Sequence, residues 1–242
     1  MADRLADGFG HILNWRLLAG SHQFPGPDGG TCINEAALVA AGLPYRAIRS
    51  SADCPPCFSH PLAAYALGLN DAMPDAERNR LMAFVLRLSG SADRPEIEAA
   101  RTRHLAVAGI SRILGPLCGI AGLSDLAALC AAADTVEEAL AAARAASWRG
   151  GVRAEEAGHR RLWLAGARAA ALARTATAAI RAIDDPRCAA EIAEGAAPFL
   201  PGTWQTACAI LEEALAIGRQ APNIDLMLAG RRLDAARGLQ PA

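Results

Sequence analysis

The sequence predicts a mainly α protein: a turn-rich N-terminal module carrying cysteine and histidine, packed on an alanine-rich helical bundle. Three observations predict it. From Phe58 onward apolar residues recur at helical spacing, as in the stripe Leu81, Phe84, Val85, Leu88. Alanine, the strongest helix former, dominates the second half of the chain. Only YRAIRS (45–50) alternates like a strand, and no second strand follows to build a sheet, so it reads as one short strand or an extended connector.

The elements follow in order. Leu5, Phe9, Ile12, Leu13 and Leu17 mark a helix over 3–18, and the prolines and glycines of SHQFPGPDGG (21–30) mark a loop. NEAALVAAG (34–42) is a short helix closed by Gly42. PLAAYALGL (61–69) is helical, and NDAMPDAERNRLMAFVLRL (70–88) starts with a turn that places Pro74 in the first helical turn. The polar stretch SGSADRPE (89–96) forms a boundary. Beyond it helices are expected over 96–114, 123–133, 135–148, 153–183, 187–195, 203–219 and 224–237. Their breaks fall at Gly115-Pro116, Asp134-Thr135, Gly150-Gly151, Asp185-Pro186, Pro198 to Gly202 and Pro222-Asn223. The expected division is 1–92 for the Cys/His module and 93–242 for the bundle, which shows no repeat period.

Composition narrows the function classes. The 242 residues are 52% hydrophobic with a mean hydropathy of +0.17, a value raised by alanine. No window holds the ~18 uninterrupted apolar residues of a spanning helix, and MADRLADGFGHILNW lacks the apolar core of a signal peptide. A cytoplasmic protein with no membrane partner is expected. All 24 basic residues are arginine and the formal net charge is −1, so nucleic-acid binding is not indicated. Arg101/Arg103, Arg160/Arg161 and Arg231/Arg232 each have acidic neighbours. The favoured partner is another protein, with a homo-oligomer as one form of it.

The chemistry, if any, lies in GGTCINEAALVAAGLPYRAIRSSADCPPCFSHP (29–61). Seven cysteines without an export signal do not suggest a disulfide framework. Cys118, Cys130, Cys188 and Cys208 sit in apolar helical stretches and read as core. Cys32, Cys54 and Cys57 remain. In a metal reading, Cys54-Pro-Pro-Cys57 has the spacing that holds zinc, with Cys32, His22 and His60 as further ligands and Glu35 as an outside candidate. In a nucleophile reading, Cys32 opens a helix after Gly29-Gly30-Thr31, where free N–H groups and the helix dipole favour a thiolate. His22 or His60 would then be its base, oriented by Glu35 or Asp71. This run locally resembles the G-x-C-x-x-x-A stretch of transglutaminases. A zinc-deaminase order, Cys32 to Glu35 followed by Cys54 to Cys57, is similar but one residue too long, which rotates Glu35 by about 100° around the helix. In a structural reading the cysteines are buried and Glu35 closes a cap with Thr31 or a neighbouring N–H. Asn70-Asp71 reads as a helix C-cap and turn, and His11, His104 and His159 as helix residues at or near the surface.

The stretches LLAGSHQFPGPDGGTCINEAALVAAG, YRAIRSSADCPPCFS, AAYALGLNDAMPDAERNRL and FVLRLSGSAD, over residues 17–93, resemble a family of uncharacterised bacterial and prophage proteins. Looser relatives in actinophages share a frame of G-x-C-x-x-E, P-x-C and N-D. It maps onto Cys32, Glu35, Cys57, Asn70 and Asp71 and leaves Cys54 outside. The resemblance implies no activity, cofactor or partner; it implies that the first ninety residues are the defining module. The resulting expectation is a non-enzymatic binding or regulatory protein, zinc-stabilised and related to phage or mobile elements. The alternatives are a hydrolase or transferase using Cys32 and a zinc deaminase-like enzyme.

Overall fold

The computed structural model describes residues 16–22, 30–219 and 225–238. These are mainly α-helical, and their only β pairing is two isolated bridges, Leu17 with Thr31 and Phe58 with Ser89. The chain forms two compact units, Met1–Glu98 with Leu215–Ala242, and Ala99–Ala214. The expected boundary at 92/93 thus compares with one at 98/99. The last segment, expected in the bundle, groups with the first unit instead, because its helix packs against the helix that follows Cys32.

In the first unit, α1 (Ile33–Ala40) is buried along its whole length. It ends where Leu43 N–H reaches Leu38 O at 3.0 Å, around Gly42 at φ +76. That left-handed turn is the glycine stop read from the sequence. From the C-terminal segment, Arg232 Nη1 donates to Ala40 O at 3.0 Å, placing a cation at the negative end of α1. Helix α2 (His60–Ala72) carries the buried Leu62, Tyr65 and Leu69. Single turns at Asp75–Arg78 and Val85–Leu88, joined by a 3-10 stretch, add Leu81, Val85 and Leu88 to the same core. Residues 43–48 are an extended connector with no sheet partner. The helix expected over 3–18 lies mostly outside the described residues; Arg16–Leu18 are extended, held by Thr31 N–H to Arg16 O and Leu18 N–H to Thr31 O.

Helix α3 (Pro95–Gly109) leads into the second unit. The break expected at Gly115-Pro116 is absent. The helix runs through a π turn, Ile110–Leu114, into α4 (Gly115–Ile120). The wider turn lets Gly115 N–H reach Ile110 O, so the missing N–H of Pro116 breaks no ladder. Next come α5 (Ser124–Ala132), α6 (Val136–His159), α7 (Trp163–Arg181), α8 (Pro186–Ala196) and α9 (Thr203–Ala216). The final helix, α10 (Leu226–Gly238), belongs to the first unit.

Helix α6 also corrects the sequence reading, since it passes straight through Gly150-Gly151. It pairs antiparallel with α7. A Cβ at Gly150 would stand 3.0 Å from Ala173 N and 3.1 Å from Ala169 O, so this glycine marks a close helix contact and not a break. The real break comes at Arg160–Leu162, inside the single helix expected over 153–183. There Leu162 N–H bonds Ala157 O at 2.8 Å and Arg161 N–H bonds Gly158 O at 3.0 Å, with Arg161 itself at φ +57. A left-handed helix stop without glycine leaves no signal in the sequence.

Candidate functional site

Cys32 and Glu35 form a capping box at the start of α1. Glu35 N–H points to Cys32 Sγ at 3.5 Å, while Cys32 N–H donates to Glu35 Oε2 at 2.9 Å. The Glu35 carboxylate is fully buried and is the centre of a wider network. Oε2 also accepts from Thr31 Oγ1 at 2.8 Å and lies 3.3 Å from His22 Nδ1. Oε1 accepts the N–H of His22 at 2.9 Å and of Ile48 at 3.0 Å. Tyr45 Oη donates to His22 O at 2.9 Å and closes the ring. One carboxylate thus fixes three separate segments of chain.

The same logic operates at the end of α2. Asn70 accepts Ile33 N–H at 3.2 Å and donates to Leu18 O at 2.7 Å, and Asp71 accepts Gly20 N–H at 2.9 Å. Both residues lie within the last turn of α2 and tether the segment around Leu18 and Gly20, so the C-cap expected there is not their role. The cap is supplied by Arg78. It is buried, donating to Asn70 O at 2.7 Å, Met73 O at 2.6 Å and Asp75 Oδ1 at 2.5 Å. Sequence reasoning missed Arg78. Its one signal is an arginine four residues beyond a proline that ends a helix, where a long cationic side chain can fold back onto open carbonyls.

Electrostatics follow this geometry. Burial pushes the Glu35 carboxyl up, but the N–H groups of Ile48, His22 and Cys32 and the Thr31 hydroxyl outweigh it and hold it below the usual carboxylate range. Burial, then the Glu35 charge, drives the Cys32 thiol well above its ordinary value, against the smaller lowering effect of the Glu35 and Asn34 N–H groups. Desolvation and a neighbouring anion thus both favour the neutral thiol, against the helix dipole that favours a thiolate. His22 faces Glu35, and no histidine hydrogen-bonds Cys32 among the described residues.

The other candidate residues stand apart from this network. Cys54 is buried at the end of a short 3-10 turn, and burial pushes its thiol up to about 12. Half-buried Cys57 has Sγ 3.9 Å from Ser89 Oγ. His60 is exposed at the start of α2. Among the described residues no group of three or more His, Cys, Asp or Glu is placed to hold a metal ion, so the structure does not assemble Cys32, Cys54, Cys57, His22 and His60 into a ligand set. Cys118, Cys130 and Cys188 are buried, as core residues should be, whereas Cys208, also read as core, is only half-buried. His104 is partly buried and His159 exposed, both on helices, while His11 lies outside the described residues.

The second unit carries a charged cleft of about 540 Å³ and an apolar one of about 300 Å³. Arg103, His104 and Arg112 line one wall of the charged cleft, and Asp134 and Glu137 the other. Arg112 Nη1 donates to Glu213 Oε1 at 2.6 Å, and Glu213 Oε2 lies 3.2 Å from His104 Nε2. The unit also exposes large apolar side chains along the α6–α7 hairpin. Trp148 is 74% exposed, Trp163 79% and Leu164 61%, with Leu162 exposed beside them. No described helix is long and apolar enough to cross a membrane, so this exposure is not that of a spanning segment. No family model, curated protein or solved structure matches the chain.

Proposed function

We propose that this protein works by binding another protein through the α6–α7 hairpin, and that its Cys/His region is a structural module and not a catalytic centre. One observation carries the reading. The residues able to do chemistry, Cys32 and Glu35, are buried and occupied by hydrogen bonds, whereas two tryptophans and two leucines of the hairpin face solvent. Large aromatic side chains are what interfaces bury, and three consecutive exposed apolar residues at Leu162, Trp163 and Leu164 have no role in an isolated unit. The N-terminal network supports the same reading, because a carboxylate with its acceptor positions filled has none left for a reacting proton. Zinc at the Cys54-Pro-Pro-Cys57 turn is a separate addition to the module; elemental analysis of the purified chain tests it.

The binding reading is tested by oxidative footprinting of Trp148 and Trp163, comparing dilute purified protein with the same chain inside producing cells. Protection of both indoles in cells supports it. Full oxidation of both in cells overturns it, and native Cys32 alkylating faster than Cys57 would then favour the nucleophile.

A further inference from the structure

The outward face of α6 has a pattern that exposure alone does not explain. Ala139, Ala142, Ala143, Ala146, Gly150 and Ala157 are buried on its inner side. On the opposite side Ala141, Arg144, Trp148, Gly151, Glu155 and Gly158 recur at spacings of three, four, three, four and three residues, and all six are exposed. This is the spacing of one continuous face of an α-helix. A Cβ added at Gly151 or at Gly158 would meet nothing within 4 Å, so both glycines face open space.

A second observation says what covers it. When two such helices pair antiparallel, each seam position meets the complementary one of its partner. Aligning this stripe with its own reverse puts Trp148 against Gly151, Arg144 against Glu155 and Ala141 against Gly158, each layer occurring twice about a two-fold axis. The largest side chain faces an empty position, cation faces anion, and small faces small. Within its own chain, Glu155 pairs with His159, whose Nε2 lies 3.8 Å from its carboxylate. A two-fold axis satisfies all of these layers at once, and the contact closes as a pair instead of growing into a filament.

We infer that the partner of the α6 face is a second copy of this chain, joined antiparallel through layers of Trp148 on Gly151 and Arg144 on Glu155. The inference rests on the reading of the hairpin as a binding surface and names its occupant. It is tested on the full chain by sedimentation equilibrium. The wild type should dimerise in the micromolar range, Arg144→Glu and Glu155→Arg should each weaken the dimer at least tenfold, and the double swap should recover most of the loss. Circular dichroism and melting of each variant as dilute monomer should match wild type, since all these residues lie on the surface. A monomer at every concentration overturns the inference, as does a dimer indifferent to both charge reversals. If the chain is monomeric yet Trp148 and Trp163 are protected in cells, a different protein occupies the face and only the self-pairing fails. If they are exposed there as well, the binding reading fails with it.

Discussion

Replacing Glu35 by alanine should open the N-terminal unit without touching the second. The substitution leaves Thr31 Oγ1 and the N–H groups of Cys32, Ile48 and His22 without their acceptor. Thr31, Cys32 and Ile48 are fully buried, whereas half-buried His22 can turn to water. At about 1–3 kcal/mol for each orphaned buried donor, and with part recovered by water entering the vacated space, the loss is about 4 kcal/mol. This is a large fraction of the ~5–15 kcal/mol that stabilises a typical domain. Glu35→Gln keeps one acceptor oxygen but turns an NH2 group toward donors, and should cost about 2 kcal/mol. Native-state alkylation of Cys32 is the assay, because this thiol is fully buried and reacts only when the unit opens. Alkylation should be slow in wild type and accelerate about a thousandfold in Glu35→Ala, while amide exchange in α7 stays unchanged. The pH dependence has a fixed sign. The folded Glu35 carboxyl titrates below its unfolded value, so its contribution is full above the unfolded value, near pH 4.5, and is lost as pH falls through the folded one. Acid should therefore accelerate Cys32 opening in wild type more than in Glu35→Gln. A wild-type Cys32 that alkylates like a free thiol, or a Glu35→Ala variant within about 1 kcal/mol of wild type, would refute this account of the network.

Other perturbations follow from the same geometry. Arg78→Ala removes a buried guanidinium from two helix-end carbonyls and should destabilise the first unit by about 2–4 kcal/mol in urea titration, with Arg78→Lys restoring less than half because one ammonium cannot span both acceptors. Gly150→Ala should cost about 1–3 kcal/mol, since its methyl would press on the α7 backbone, whereas Gly151→Ala should raise the melting temperature of the dilute monomer, gaining up to about 1 kcal/mol. Equal effects at the two glycines would contradict the α6–α7 contact. Arg161→Gly relieves the left-handed residue between these helices and should stabilise the second unit by about 0.5–1 kcal/mol; a loss in calorimetry would mean that the arginine has a role beyond the turn.

The helical content, the stop at Gly42, the burial of Cys118, Cys130 and Cys188 and the Glu35 cap were all legible in the sequence. Each depends on neighbours a few residues away: apolar spacing, a glycine after the last turn, a glutamate three residues beyond an N-cap. Contacts between distant segments were not legible. A glycine pair reads the same whether it ends a helix or lets another helix approach, and only Ala169 and Ala173 decide that Gly150 does the second. The stop at Arg161 has no residue that announces it. Cys32 shows the limit best: a cysteine at a helix N-terminus is activated if water reaches it and silenced if it is buried beside a carboxylate. The sequence by itself determined that Cys32 opens a helix and that Glu35, three residues on, closes a cap with Thr31 or a neighbouring N–H. Tertiary structure decided what that means, because desolvation and the Glu35 charge act through space, from packing that brings residues 22, 48 and 70 around one short helix.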